Sequence, residues 1–314
     1  MSSFPNNMNY KAMASTIFFG NGVNLLSKEG KSWDNVLRQI SQRQVLPPIG
    51  NNTLKYEYVV LPKERYTEVH YGFEITINGI PEPPELIDTE EFIKEELAKE
   101  LSRNKASYFY NKLADLEADN YITTNYESFL NAPLKELGYA EKKSEGIIRI
   151  IKPHFTFYNN NHIIRFWNIH GNVELEHTIM LGLYDYSKYV IEIDKIMRAI
   201  EKDNPNVDES SWPFVMLNTD VHILGFGLGY EETDLWYFLT CRKRLIRKKK
   251  MQRNRIVYYA IMDNSYDMGK VKLLEALDVD VVNIDFDWSE KAYEKAYDDI
   301  YDRIRDQIRS VMNR

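Results

Sequence analysis

Short apolar runs separated by amphipathic stretches set the rhythm of this chain. Ser15–Phe19, Tyr121–Thr124, Ile163–Ile169, Val221–Leu224, Ile256–Ile261 and Val279–Ile284 are each four to seven residues long and mostly β-branched, aliphatic or aromatic. Runs so short and so uniformly apolar predict strands buried on both faces. Glu145–Lys152 and Thr178–Gly182 are read as two more. Between the runs the period lengthens. Trp33, Val36, Leu37 and Ile40 share one helical face behind a capping Ser32. Thr89 opens a helix with Glu90 and Glu91 in its first turn, running to about Leu101, and a second helical stretch reaches about Leu116. Further helices are expected from Asn125 to about Leu137, over Tyr186–Lys202 and Lys270–Leu277, and behind the acidic residues Glu231, Glu232 and Asp234. Ala292, Ala296, Ile300, Ile304 and Ile308 recur every four residues in a last helix over 289–314. Strands alternating with helices predict an α/β fold with a doubly wound, mainly parallel sheet, as one domain over 1–314.

Residues 47–88 break this rhythm. Pro47-Pro48, Gly50-Asn51-Asn52, Asn78-Gly79 and the prolines from Pro81 to Pro84 punctuate it. Leu54–Leu61 and Thr67–Ile77 between them are rich in Tyr, Val and Ile, which predicts a β-rich insertion. It could cover a site, contact a partner or be a surface loop.

Four of the strand ends carry polar or glycine residues. Phe166-Trp167-Asn168-Ile169 runs into His170-Gly171, which delivers a titratable group to the carboxyl edge of a sheet, where ligands of such folds bind. A histidine in an apolar setting is also an ordinary core residue. Ser15–Phe19 runs into Gly20-Asn21-Gly22-Val23-Asn24, either a tight turn or a loop whose amides approach a phosphate. Thr124-Asn125-Tyr126-Glu127 closes the run Tyr121–Thr124, where Asn125 is placed either for ligand contact or as a helix cap. Gly225-Phe226-Gly227-Leu228 follows the run Val221–Leu224, with Asp234 downstream.

Composition narrows the classes. With 44% hydrophobic and 28% charged residues the chain reads as globular, and its net charge of −7 disfavours general nucleic-acid binding. The basic stretch 242–255 is the exception. It is either a solvated helix end or a patch for a nucleic acid, an acidic partner or an oligomer seam. One cysteine, Cys241, excludes an internal disulfide framework and a multi-cysteine zinc site. Met1–Tyr10 lacks the apolar core of a signal peptide, and no run approaches a membrane span. A cytoplasmic location without membrane association is the expectation.

The four strand ends, in this order, resemble the SIR2-like (sirtuin-fold) superfamily, and within it bacterial antiphage-defence and AbiH-like abortive-infection proteins. That family's pattern is an early Gly-x-Gly loop, a Thr-(Thr/Gln)-Asn-(Tyr/Ile)-Asp segment, a His-Gly pair and a late Gly-(Tyr/His)-Ser-Leu turn with a downstream Asp. The resemblance spans about residues 15–285. It implies a Rossmann-like sheet and an NAD hydrolase. Gly20, Asn21 and Gly22 would approach the NAD phosphates, Asn125 would sit by the nicotinamide ribose, and Asn24, Thr124 and Glu127 would also contact NAD. His170 would act with Asn125 in catalysis, Gly225 and Gly227 would contact the adenosine side, and Asp234 would belong to the same NAD-binding set. Two departures are visible. Lys31-Ser32-Trp33 stands where deacylating sirtuins carry Gly-Ile-Pro-Asp-Phe-Arg, and Glu127 replaces the expected Asp. Without four cysteines no zinc module forms, so the implied reaction is NAD cleavage to nicotinamide and ADP-ribose, with NAD as substrate and no cofactor. The implied setting is a homo-oligomer, a second defence protein from the same operon, or both. A non-catalytic NAD- or ADP-ribose-binding module and a structural subunit are the competing readings.

Overall fold

The structure, a computed structural model, describes residues 14–40, 46, 48, 50–60, 76–77, 80–81, 89–144, 150–160 and 162–312. Its centre is an eight-stranded sheet. The strands are β1 (Ser15–Phe19), β4 (Asn120–Thr123), β5 (Ala140–Lys143), β6 (Phe155–Tyr158), β7 (Ile163–Asn168), β8 (Asp220–Leu224), β9 (Ile256–Ile261) and β10 (Asp280–Ile284). They lie in the order β10-β9-β8-β1-β4-β7-β6-β5. The six from β10 to β7 are parallel, and β6 and β5 close that edge antiparallel. The expected mixed α/β, mainly parallel sheet is therefore present.

Strand periodicity divides the core. Ile17, Phe19, Tyr121, Phe166, Val257 and Tyr259 point to one face, where they meet α4 (Phe109–Asp115) and α10 (Ala292–Met312). Their neighbours Phe18, Ile122, Trp167, Ile256 and Tyr258 point to the other. There they meet α6 (Leu183–Glu201), α7 (Trp212–Asn218) and α8 (Thr233–Arg247). Side chains alternate along a strand, so a run with both faces covered must be apolar throughout. The four-residue repeat in α10 is its seam on the sheet: Ala292, Ala296, Ile300, Ile304 and Ile308 are all buried. A smaller cluster joins α1 (Trp33–Ile40), α2 (Asn52–Val60) and α3 (Thr89–Leu101) to Tyr126, Ile179 and Leu181. Between β9 and β10 runs α9 (Met268–Ala276), and α5 (Asn131–Glu136) precedes β5.

Several expectations need correction. In the 47–88 insertion, where a strand was expected over Leu54–Leu61, residues 54–60 are helical within α2. Thr53, Tyr56 and Val59, three residues apart, face inward, and Asn51 Oδ1 caps the start by accepting from the Leu54 amide at 3.0 Å. Aromatic and β-branched content mimicked a strand, but tertiary burial followed the helical period. Most of Thr67–Ile77 lies outside the described residues, although β2 (Thr76–Ile77) pairs antiparallel with β3 (Ile80–Pro81). The strand expected at Glu145–Lys152 falls partly outside the described residues, and Ile150–Lys152 is a turn. The strand at that edge is β6, where Phe155 and Phe157 alternate inward. Thr178–Gly182 forms no strand: its apolar side chains are buried in irregular backbone after a 3-10 turn at Glu176–Thr178.

The basic stretch 242–255 is largely a structural device. Arg242 is fully buried, its guanidinium donating to Asn254 Oδ1 at 2.9 Å, the Asn254 carbonyl at 2.6 Å, and the Leu277 and Asp278 carbonyls. Burial pulls its pKa down to about 10. Lys243, Lys248 and Lys250 pair with Asp278, Glu201 and Asp203, and Arg253 and Arg255 share Asp280. Replacing Arg242 by lysine is expected to cost about 2 kcal/mol, because an ammonium cannot serve this fork of carbonyls and leaves some unpaired. Chemical denaturation would measure it. Among the described residues no helix is long and apolar enough to cross a membrane.

Candidate active site

The chain leaves β1 for β4 and then β7 on one side, and returns to β8 on the other. The order thus reverses between β1 and β8, where folds of this kind open a ligand crevice beyond the strand ends. A cavity of about 710 Å³ lies here. Its wall takes His170 from beyond β7, Thr124 from beyond β4, Asn21 and Gly22 from beyond β1, Gly225 and Gly227 from beyond β8, and Asp263 and Lys270 from beyond β9. Tyr186, Glu231, Glu232 and Asp267 also line it.

His170 is held from both sides. Its carbonyl accepts from the Met180 amide at 2.8 Å, and Gly171 turns the chain at φ +103. Its Nε2 lies 2.9 Å from Asp234 Oδ2, and its Nδ1 lies 3.3 Å from the Tyr186 hydroxyl. The same hydroxyl lies 3.1 Å from Glu232 Oε2, so its one hydrogen goes either to that carboxylate or to Nδ1. Asp234 sits in the first turn of α8, and Glu232 directly precedes the helix, where the dipole favours negative charge. Asp234 and His170 are both buried, at 0% and 2% exposure. With the Nε2 hydrogen given to Asp234, Nδ1 is left as the ring's acceptor on the Tyr186 side, and the carboxylate stabilises an imidazolium. Burial raises the pKa of Glu232 to about 7, and the nearby Asp234 carboxylate pushes it the same way, while His170 opposes them. Donor atoms of His170, Glu232 and Asp234 lie within 4.8 Å of one another and could hold a metal ion.

The glycine loops bind each other. Gly22 N donates to the Gly225 carbonyl at 2.7 Å, and Gly20 N to that of Leu224 at 3.2 Å. A Cβ on Gly20 would stand 2.6 Å from Phe226 Cδ2, and one on Gly22 would meet Gly225 O at 2.7 Å and overlap the Tyr297 hydroxyl. The stretch read either as a tight turn or as a loop whose amides approach a phosphate is a 3-10 helix, Asn21–Leu26. At Gly20 and Gly22 the missing side chain admits protein backbone. At Gly227 no atom lies within 4 Å of an added Cβ, so there the backbone stays open to the cavity.

Asn125, Asn24 and Glu127 form a second polar group beside the cavity and do not line it. The Asn125 amide donates to the Gly20 carbonyl at 3.2 Å and the Tyr110 hydroxyl at 3.3 Å. Tyr110 donates to Asn24 Oδ1 at 2.6 Å, and Asn24 donates to Asn21 at 3.1 Å and to Glu127 Oε2 at 3.3 Å. Asn104 donates to the other Glu127 oxygen at 2.9 Å. Burial raises the Glu127 pKa, and the two amide donors only partly oppose it. The folded state therefore holds this proton above the ordinary carboxylate range, and the associated stability is lost as pH rises through the raised value. Between pH 5 and pH 8 the wild type is expected to lose melting temperature relative to Glu127→Gln. The comparison is with the variant because the buried His154 and His222, whose pKa burial lowers to about 4, shape the absolute slope equally in both proteins. Glu127→Gln should itself cost about 1 kcal/mol near pH 5, because its amide meets one of the asparagine amides head-on. Thermal melts at both pH values test this.

Of the sequence candidates, the structure gathers Asn21, Gly22, Thr124, His170, Gly225 and Gly227 on one wall. Asp234 stands directly behind His170. Gly20, Asn24, Asn125 and Glu127 lie in the layer beneath. Sequence reasoning missed Tyr186, Tyr110, Glu232 and Tyr297. Tyr186 entered only as the start of a predicted helix, Tyr297 and Tyr110 lay within helical stretches, and Glu232 looked like a helix-start charge. Compared with known proteins, the chain matches no family model and no curated protein sequence.

Proposed function

We propose that the chain is an NAD glycohydrolase of SIR2-like type, splitting NAD into nicotinamide and ADP-ribose and serving as an abortive-infection effector against phage. The observation that carries the enzymatic part is the buried His170–Asp234 pair presented on a cavity at the β1/β8 reversal. The defence role rests on the sequence resemblance.

Nicotinamide leaves the ribose as a neutral molecule, so the reaction needs little acid help. It needs a group that takes the proton of the attacking water or of a ribose hydroxyl as the C1′–N bond breaks. His170 Nδ1 would accept that proton, and Asp234 would hold the ring and balance the charge. Gly227 would let the pyrophosphate approach backbone, with Lys270 on the same wall as a cation. Asn125 would act as a positioning residue through Gly20 and Tyr110. The adopted setting is a homo-oligomer or a complex with a second defence protein.

A second reading, a pocket that binds NAD or ADP-ribose without turnover, is favoured by one observation: the Asn125 amide is spent within the protein. Chromatography of purified chain incubated with NAD separates the two. Release of nicotinamide and ADP-ribose supports hydrolysis, and binding without release supports the module. Equal turnover by wild type and His170→Ala would sink the assignment of the base. NAD loss in phage-challenged cells carrying wild type but not His170→Ala tests the defence role.

A further inference from the structure

We propose that His170, Glu232 and Asp234 form a binding site for one divalent transition-metal ion, zinc foremost, and that its occupancy excludes the use of His170 as a base.

The geometry is close to what an ion requires. One donor atom from each residue lies within 4.8 Å of the others, and His170 Nε2 and Asp234 Oδ2 are 2.9 Å apart. Tetrahedral zinc with bonds of about 2.0–2.1 Å sets its ligand atoms roughly 3.3 Å apart. Small rotations of Glu232 and of the imidazole would close the set. The site is not the four-cysteine module of deacylating sirtuins, since its donors are one imidazole and two carboxylates.

An independent observation points to a ligand. Asp234 is 0% exposed, yet its Oδ1 has no hydrogen-bond partner. Buried polar atoms are rarely left so, and such an oxygen marks a site for an ion or a water. Among the described residues no lysine or arginine pairs with Glu232 or Asp234, so the only positive charge available inside the group is a proton on His170. An entry path exists as well. His170 and Glu232 stand on the cavity wall, so the fourth coordination position would face its interior.

Donor chemistry selects the ion. An imidazole with carboxylates favours zinc and its first-row neighbours over magnesium and calcium, which take oxygen donors. Binding requires a neutral imidazole and ionised carboxylates, so protons pass to solvent as the ion enters. With the ion on Nε2 the ring's one hydrogen resides on Nδ1, which then can no longer accept a proton from water. Only this last consequence, inhibition, rests on the proposed hydrolase activity. The site itself does not.

The test uses the full chain stripped with a chelator and titrated with zinc against a chromophoric competitor, with a magnesium arm and no NAD present. Wild type should take up one equivalent of zinc, and magnesium should not displace the competitor's zinc from it. Glu232→Gln and His170→Ala should each bind at least about ten-fold more weakly, whereas His162→Ala, at the opposite end of β7, should bind as wild type. Glu232→Gln preserves volume at a half-buried position, and its thermal melt verifies folding. Absence of stoichiometric uptake by wild type, or unchanged affinity in Glu232→Gln and His170→Ala, overturns the proposal. Zinc uptake without nicotinamide release in the metal-free chain would keep this site and remove the hydrolase reading. Turnover of NAD without zinc uptake would do the reverse.

Discussion

His170→Ala is expected to lower kcat for NAD hydrolysis by about 10²–10⁴-fold, the range that a positioned general base supplies. KM should change little, because the imidazole presents one edge of a cavity of about 710 Å³ and most of the wall is untouched. Asp234→Asn isolates the partner's share. It keeps size and burial but removes the charge that balances an imidazolium, and its amide can donate to Nε2 and reverse the ring's tautomer. The loss should again fall in kcat. The pH profile separates roles: a base assisted by a carboxylate loses its acid limb in Asp234→Asn, whereas a purely structural pair would lower activity evenly at every pH. Nicotinamide release under saturating NAD, measured across pH for both variants, checks this.

Gly171→Ala should be the most damaging single change to the fold near the site. The residue has φ +103, outside what an L side chain readily adopts, and an added Cβ would fall on the Thr178 carbonyl. Backbone strain of about 1–3 kcal/mol and overpacking of a similar size both apply, for a combined loss of roughly 2–6 kcal/mol. The loop that Gly171 approaches is the one that holds His170 through the Met180 amide. Activity should therefore fall together with stability, unlike in His170→Ala, where the fold should survive. Urea denaturation and nicotinamide release on the same preparations distinguish the two outcomes. Gly227→Ala is the contrast: an open position should tolerate the methyl in the fold and change only what the cavity admits.

How much was legible varies from element to element. The inner parallel strands were visible because a strand covered on both faces is largely apolar, as Phe18 and Phe19 on opposite faces illustrate. At the outer edge, β10 showed as an apolar run although only its Ile284 is buried. The antiparallel strands β5 and β6 were not visible. In β5, no residue of Ala140–Lys143 is buried, so no periodic signal exists there. In α2 the residue types suited a strand, and only the packing against α1 and α3 imposed the helical period. Of the site, the His-Gly pair, the glycine loops and the acidic start of α8 stood out as motifs. What they do to one another did not.

The chain's pattern by itself determined the class of fold, the placing of polar residues at four strand ends, and the buried seam of α10, because these follow from local period and from which faces must leave water. Tertiary structure decided the rest. It set Asp234 against His170 across 64 positions of sequence and turned Gly20 and Gly22 toward Gly225 and Phe226. It also drew Arg242 inward among carbonyls and directed Asn125 toward Tyr110. Each of these is a pairing of polar groups brought together by the order of strands. A hydrogen bond inside a protein is set by distance and burial, and neither can be read from the spacing of residues along a chain.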